Sequence, residues 1–316
     1  MVNTVFMASD VLHNPKDACD KTRHLKYFRE RGRESLIELQ REYGAQQRGK
    51  LASAVNRSLQ ASSRHVVSSL ADAAKTQKWS LEESSSAILA ATYSSQLAML
   101  ELRNEVWPYE YMSFSRRIGE LWELFIRTAF EHTQTGLQHF IPPLFSDVRK
   151  GLKHELAEYI EQLPIKAAQR AELMAYYEKV WTLVDSGEIN LELDLHVVKN
   201  GERICVDLKS GFGSNEKGNM NRLLMVATIY RNLEAGYKCI LLVRAPEDRN
   251  NNYFRTLRDS GVWEAHCGAE AYARIRDLTG FDLQTWISKN VDWKGDLTSE
   301  TLKHFEDNNL MSYLDW

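Results

Sequence analysis

Asp194, Asp207 and Lys209 are the residues of this chain whose types and spacing point most directly to chemistry. They lie in the stretch LELDLHVVKNGERICVDLK, residues 191–209. Asn200-Gly201 divides it and is the strongest two-residue hairpin signal, because a type I′ turn needs positive φ at both central positions. Period-two alternation on either side predicts two antiparallel strands. On the first, Leu191, Leu193, Leu195 and Val197 point one way and Glu192, Asp194, His196 and Val198 the other. On the second, Ile204, Val206 and Leu208 oppose Arg203, Cys205, Asp207 and Lys209. The two-residue loop sets Lys199 opposite Glu202, and the same register carried outward sets Asp194 opposite Asp207 and Glu192 opposite Lys209.

Like charges directly across a hairpin repel unless something compensates, and their Cβ atoms would stand about 4.5–5.5 Å apart. One hard divalent cation with oxygen ligands bridges that separation, so the pair reads as a divalent-metal site. Lys209, on the same face, reaches a water or a phosphate oxygen beside it. A solvated hairpin face carrying ordinary charged residues is the competing account.

Asp194, twelve intervening residues, then Asp207-Leu208-Lys209 on two antiparallel strands resembles the PD-(D/E)XK nucleases, and among them the type II restriction endonucleases. Leu193 stands where that family often has proline, a variable position. The resemblance covers roughly residues 113 to 245. A second triplet, Asp292-Trp293-Lys294, lies in a stretch without strand character. The resemblance implies a mixed-sheet nuclease core that binds Mg²⁺ through Asp194, Asp207 and the Leu208 carbonyl. Lys209 would orient the attacking water, and Glu192 would hold Lys209 or join a second ion. An acidic residue from a preceding helix often approaches the metal in such proteins, and Glu123 is the candidate. An i,i+4 pair with Arg127 is the other account of Glu123. The resemblance further implies double-stranded DNA as substrate, a homodimer with one site per strand, and a prokaryotic, cytoplasmic setting.

The chain of 316 residues is 43% apolar and 26% charged, which fits a folded globular protein rather than a disordered or fibrous one. No run approaches the roughly 20 apolar residues of a membrane span, and the N-terminus shows no signal-peptide pattern, so a cytoplasmic protein without a membrane segment is expected. Cys19, Cys205, Cys239 and Cys267 lack metal-cage spacing, and Cys205 and Cys239 read as small apolar residues inside strands. The net charge of −3 argues against nucleic-acid binding by bulk attraction. Residues 1–80, however, carry 14 Lys and Arg against 8 Asp and Glu. A phosphate-facing surface and an ordinary solvated one both fit that asymmetry.

The elements that must hold the site are α/β in class. Residues 16–99 read as several helices, with Ser80 and Glu83 forming a capping box at the start of one that runs to about Asn104. Arg29 and Arg33 belong to a basic cluster that is either a DNA-contacting helix or a solvated face. From Ser113, Phe114, Ile118, Leu121, Trp122 and Phe125 recur at helical spacing, with Glu120 and Glu123 on the flank. Two further helices occupy 146–162 and 165–186, and Ser186-Gly187 ends them.

After Lys209 a glycine-rich polar loop offers Lys217 and Asn219 as DNA contacts, or serves simply as a connection. A helix over 220–234 and a strand over 238–243 then imply a parallel pairing with the second hairpin strand. A last strand is expected at Val262-Trp263. The division is a helical N-terminal region over 1–110, a nuclease core over 111–290 and a tail over 291–316. Two other functions stay open: a repair or recombination nuclease on the same core, and a non-catalytic DNA-binding protein whose aspartates hold a structural cation.

Overall fold

The computed structural model describes residues 14–44, 46–133, 135–184, 189–213, 217–233 and 236–314. Ser186-Gly187, and nearly all of the arm expected over residues 1–15, lie outside them. The helices of the first half are α1 (Pro15–Ala18), α2 (Lys21–Tyr43), α3 (Arg48–Gln77), α4 (Leu81–Val106) and α5 (Tyr111–Glu131). Strand β1 (Gln138–His139) follows, then α6 (Phe145–Gln162), α7 (Ala167–Val184) and the hairpin β2 (Leu195–Lys199) and β3 (Glu202–Lys209). The chain continues through α8 (Lys217–Arg231), β4 (Tyr237–Val243), α9 (Asn252–Asp259) and β5 (Glu264–Cys267). It closes with α10 (Ala269–Thr279), α11 (Leu283–Asn290), α12 (Trp293–Asp296) and α13 (Ser299–Asp307). An α/β protein with a mixed sheet is therefore observed.

The five strands lie in the order β1-β2-β3-β4-β5. β2 and β3 pair antiparallel with Lys199 opposite Glu202 and Leu195 opposite Val206, the expected register. Asn200 and Gly201 have φ of 52° and 84°, the two left-handed positions a type I′ turn requires. β3 and β4 run parallel, Arg203 beside Tyr237 through Lys209 beside Val243. β5, parallel to β4, occupies 264–267, just past the expected Val262-Trp263.

β4 carries Ile240 and Leu242 on one face and Cys239, Leu241 and Val243 on the other, all buried, because helices cover both sides. The first face also presents Leu195, Val197, Ile204, Val206 and Leu208 to Trp122, Phe125 and Ile126 of α5. The second packs on Leu223, Val226, Ala227 and Tyr230 of α8 and on Phe254 and Leu257 of α9.

α4 joins this α/β body to the helices before it. The Ser80–Glu83 capping box opens it, with the Glu83 N–H donating to Ser80 Oγ at 3.2 Å and the Ser80 N–H to Glu83 Oε2 at 2.8 Å. Its Leu89, Tyr93, Leu97 and Leu100 pack toward the sheet, while Ile88, Ala91, Met99 and Leu102 pack with α2 and α3. The boundary expected at residue 110 is thus bridged by one helix that serves two cores. Within the expected tail, Trp293, Leu297, Phe305, Leu310 and Leu314 are buried in the sheet-facing core.

Gly201→Val should cost about 1–2 kcal/mol of unfolding free energy, because it forces a β-branched residue into the left-handed region. Asn200→Asp keeps the same turn available and should change stability by less than about 0.5 kcal/mol. Urea unfolding of both variants checks the pair, and equal effects would refute the turn assignment.

Candidate functional site

The site forms where β2 and β3 part. β2 begins at Leu195, and the chain bends at Asp194, so the expected alternation fails there. Leu191 and Leu193 cross to the α8 layer instead of continuing the α5-facing stripe. Three hydrogen bonds hold the bend. Tyr230 Oη donates to the Leu191 carbonyl (2.7 Å), the Leu193 N–H donates to His196 Nε2 (2.9 Å), and the Leu208 N–H donates to Asp194 Oδ2 (2.8 Å). Burial pushes the His196 imidazole down to about 4, which keeps Nε2 an acceptor at neutral pH. The Asp194 carboxylate meets a backbone N–H of β3 at the point where the β2 ladder ends.

Asp207 lies one residue past Val206, the last β3 residue paired with β2, and is 1% exposed. Lys209 Nζ stands 2.5 Å from Asp207 Oδ2 as an ion pair, although that oxygen accepts no hydrogen bond of good geometry. Arg222, on α8, approaches Asp207 Oδ1 at 3.7 Å. Burial raises the Asp207 carboxyl, and Lys209 works against that rise. Lys209 also donates to the Leu208 carbonyl at 3.2 Å.

Glu123 comes to the same place from α5. Gly119, one turn earlier on the same helix, lies against the residue after Lys209, and a Cβ there would stand 3.3 Å from Ser210 Oγ. That close approach lets α5 carry Glu123 over the end of β3. Partial burial, and next the Asp194 charge, push the Glu123 carboxyl up to about 7, with Asp207 adding to the rise and Lys209 and Arg127 opposing it. Arg127 gives its hydrogen bond not to Glu123 but to Asp194 Oδ1, at 3.0 Å.

Asp194, Asp207, Lys209 and Glu123 are thus brought together, with the Leu208 carbonyl beside them. Glu192 is not. The bend leaves its side chain exposed, and Lys209, expected opposite it, pairs with Asp207. Arg29 and Arg33 are engaged elsewhere: Arg29 binds Glu101 Oε2 and Oε1 at 2.8 and 2.7 Å, and Arg33 pairs with Glu105. These bonds tie α2 to α4. Asp292 of the second triplet caps α12 by accepting from the Gly295 N–H at 3.0 Å. Lys217 stands exposed in the first turn of α8, and Asn219 lies two residues on.

Arg127 and Arg222 are the members that sequence reasoning missed. Arg127 falls one helical turn after Glu123, a spacing that suggested a partner on the same helix rather than across to Asp194. Arg222 carries no local signal at all. Beyond the hairpin, the Arg244 N–H donates to the Lys209 carbonyl at 2.9 Å. Arg244 and Arg249 line an open cleft with Pro246 and Tyr313 just beyond the same strand ends.

Among the described residues, no three Asp, Glu, His or Cys side chains stand close enough to form a ready-made metal cage. Two features nevertheless suit a hard cation: the Asp194 charge raises both the Glu123 and the Asp207 carboxyls, and Asp207 has a buried oxygen lacking a proper hydrogen bond. The chain matches no protein-family model, no curated protein and no solved structure.

Glu123 has a folded-state pKa above its ordinary value, so the folded chain binds more protons between the carboxylate range and about pH 7, and stability falls as pH rises through that window. Glu123→Gln should therefore raise the melting temperature more at pH 8 than at pH 5. Thermal melts at the two pH values measure this, and an equal gain at both would show that Glu123 ionises normally.

Proposed function

We propose that this chain is a divalent-metal-dependent endonuclease of PD-(D/E)XK type acting on double-stranded DNA, with sequence-specific cleavage of the type II restriction kind as its finer assignment. One observation carries the reading: Asp207, Lys209 and Asp194 converge at the parting of a β-hairpin, and α5 adds Glu123 to them.

Asp207 and Asp194 would hold Mg²⁺, with the Leu208 carbonyl and Glu123 as further oxygen donors. The cation, when bound, supplies Lewis-acid polarisation of a phosphodiester. Lys209, anchored between Asp207 and the Leu208 carbonyl, is placed to orient a water or a phosphate oxygen. Arg222 beside Asp207, and Arg244 and Arg249 in the adjoining cleft, offer guanidinium groups to the phosphate backbone. Exposed Lys217 extends that basic edge. The acidic overall charge makes such a local path, rather than bulk attraction, the source of affinity.

A second reading has one observation in its favour. Both Asp194 oxygens are already engaged, by Arg127 and by the Leu208 N–H, as a purely structural network would have them. The two readings separate experimentally. With plasmid DNA and Mg²⁺, Asp207→Asn and Lys209→Met should each reduce cleavage by at least about a hundredfold while retaining the wild-type circular dichroism. Independently of activity, Mg²⁺ should raise the melting temperature of the wild type at pH 8 and leave Asp207→Asn unmoved. Wild-type protein that neither cuts plasmid nor gains stability with Mg²⁺ would leave the structural network as the answer.

A further inference from the structure

Arg127 holds an oxygen that the proposed metal needs. Of the two Asp194 oxygens, Oδ2 accepts the Leu208 N–H at 2.8 Å, a backbone contact that fixes the carboxylate where the β2 ladder ends. Oδ1 accepts a hydrogen bond from Arg127 Nη2 at 3.0 Å. Asp207 is placed differently. Its buried Oδ2 pairs with Lys209 but accepts no hydrogen bond of good geometry, and Arg222 stays 3.7 Å from its Oδ1, beyond hydrogen-bond length. A hard cation set between the two aspartates takes carboxylate oxygens from both. The Arg127 bond to Asp194 Oδ1 stands in its way. Guanidinium and divalent ion also repel each other, and more strongly where the site is shielded from water.

The pair is suited to opening. Arg127 spends one N–H on Asp194, whereas Arg29 forks onto both oxygens of Glu101 at 2.8 and 2.7 Å. The Arg127 side chain keeps 37% of its surface exposed, against 20% for Lys209. Glu123 and the exposed Glu131 stand one helical turn before and after Arg127 on α5. A glutamate four residues ahead of a cationic residue is the favoured order for a pair along a helix. The Arg127 charge already acts on Glu123, opposing the rise in its carboxyl. A guanidinium released from Asp194 thus has carboxylates one turn to either side.

We propose that Arg127 and the divalent ion are alternative partners of Asp194. The Arg127–Asp194 pair is a latch, which holds the metal affinity of the site down until the guanidinium swings away along α5. The inference rests on the metal reading of the same cluster and adds the residue that sets how readily the ion enters.

Mn²⁺ binding to the full chain in the absence of DNA tests it, read from the electron paramagnetic resonance signal of the free ion, so that no cleavage enters the measurement. Arg127→Gln and Arg127→Met remove the charge and should each bind Mn²⁺ at least about fivefold more tightly than the wild type. Asp207→Asn should abolish binding in the wild-type and Arg127→Gln chains alike, which assigns the ion to this cluster. A wild type that binds Mn²⁺ while both neutral variants bind it equally or more weakly overturns the latch and leaves the metal reading standing. Loss of the wild-type circular dichroism in both variants overturns it too, since Arg127 is then a structural tie, and so does a gain in affinity that survives Asp207→Asn. Binding in neither the wild type nor the variants removes the metal reading, and the latch with it.

Discussion

Stripping water from an ionised carboxylate costs several kcal/mol even after a protein relaxes around it, and Asp207 is 1% exposed at the end of a central strand. The local arrangement answers that cost. Lys209 on the same strand and Arg222 on the covering helix supply positive charge, while the Asp194 charge nearby works against them. A second aspartate in such a place is tolerable only with its own compensation, which Arg127 and the Leu208 N–H provide. Two carboxylates thus meet three cations. An apolar residue of Asp207's size would burden the strand far less.

The scaffold that makes this possible is rigid on both sides. Leu195, Val197, Ile204, Val206 and Leu208 give α5 an apolar floor, and Trp122 and Phe125 lock that helix on it. Trp122 Nε1 also donates to Tyr272 Oη at 3.0 Å, tying α5 to α10. Glycine at 119 lowers the helix toward Ser210, which fixes where Glu123 sits one turn later. On the opposite face, Tyr230 and neutral His196 hold the bend that turns Asp194 toward β3. Each charged side chain of the site is therefore positioned by an apolar layer or a hydrogen bond outside it, the condition for a site of defined geometry.

Electrostatics gives the cluster its chemical character. Glu123, half-buried among neighbours of both signs, is held up near pH 7, whereas a solvated glutamate would be fully ionised there. Arg127 and Lys209 supply the positive charge that these carboxylates face. Arg244 and Arg249, beyond the same strand ends, extend the positive field outward along the cleft.

Sequence alone determined the features that depend on near neighbours. Asn200-Gly201 specified the turn, and the turn specified the register from Lys199 opposite Glu202 to Leu195 opposite Val206. Ser80 and Glu83 announced α4, the period of Phe114 to Phe125 announced α5, and the apolar run at 239–243 announced a strand buried on both faces. Asp194, Asp207 and Lys209 were legible as a group for the same reason, whereas Glu123 came only from the family resemblance. Tertiary structure decided the rest, because period-two patterning assigns faces only while a strand remains paired. Once the chain bends at Asp194, Leu191 and Leu193 change layers and Glu192 loses its place opposite Lys209. The partners of charged side chains were equally hidden: Arg127 reaches Asp194, Arg29 reaches Glu101, and Arg222 reaches Asp207, each across elements whose contact no local spacing encodes.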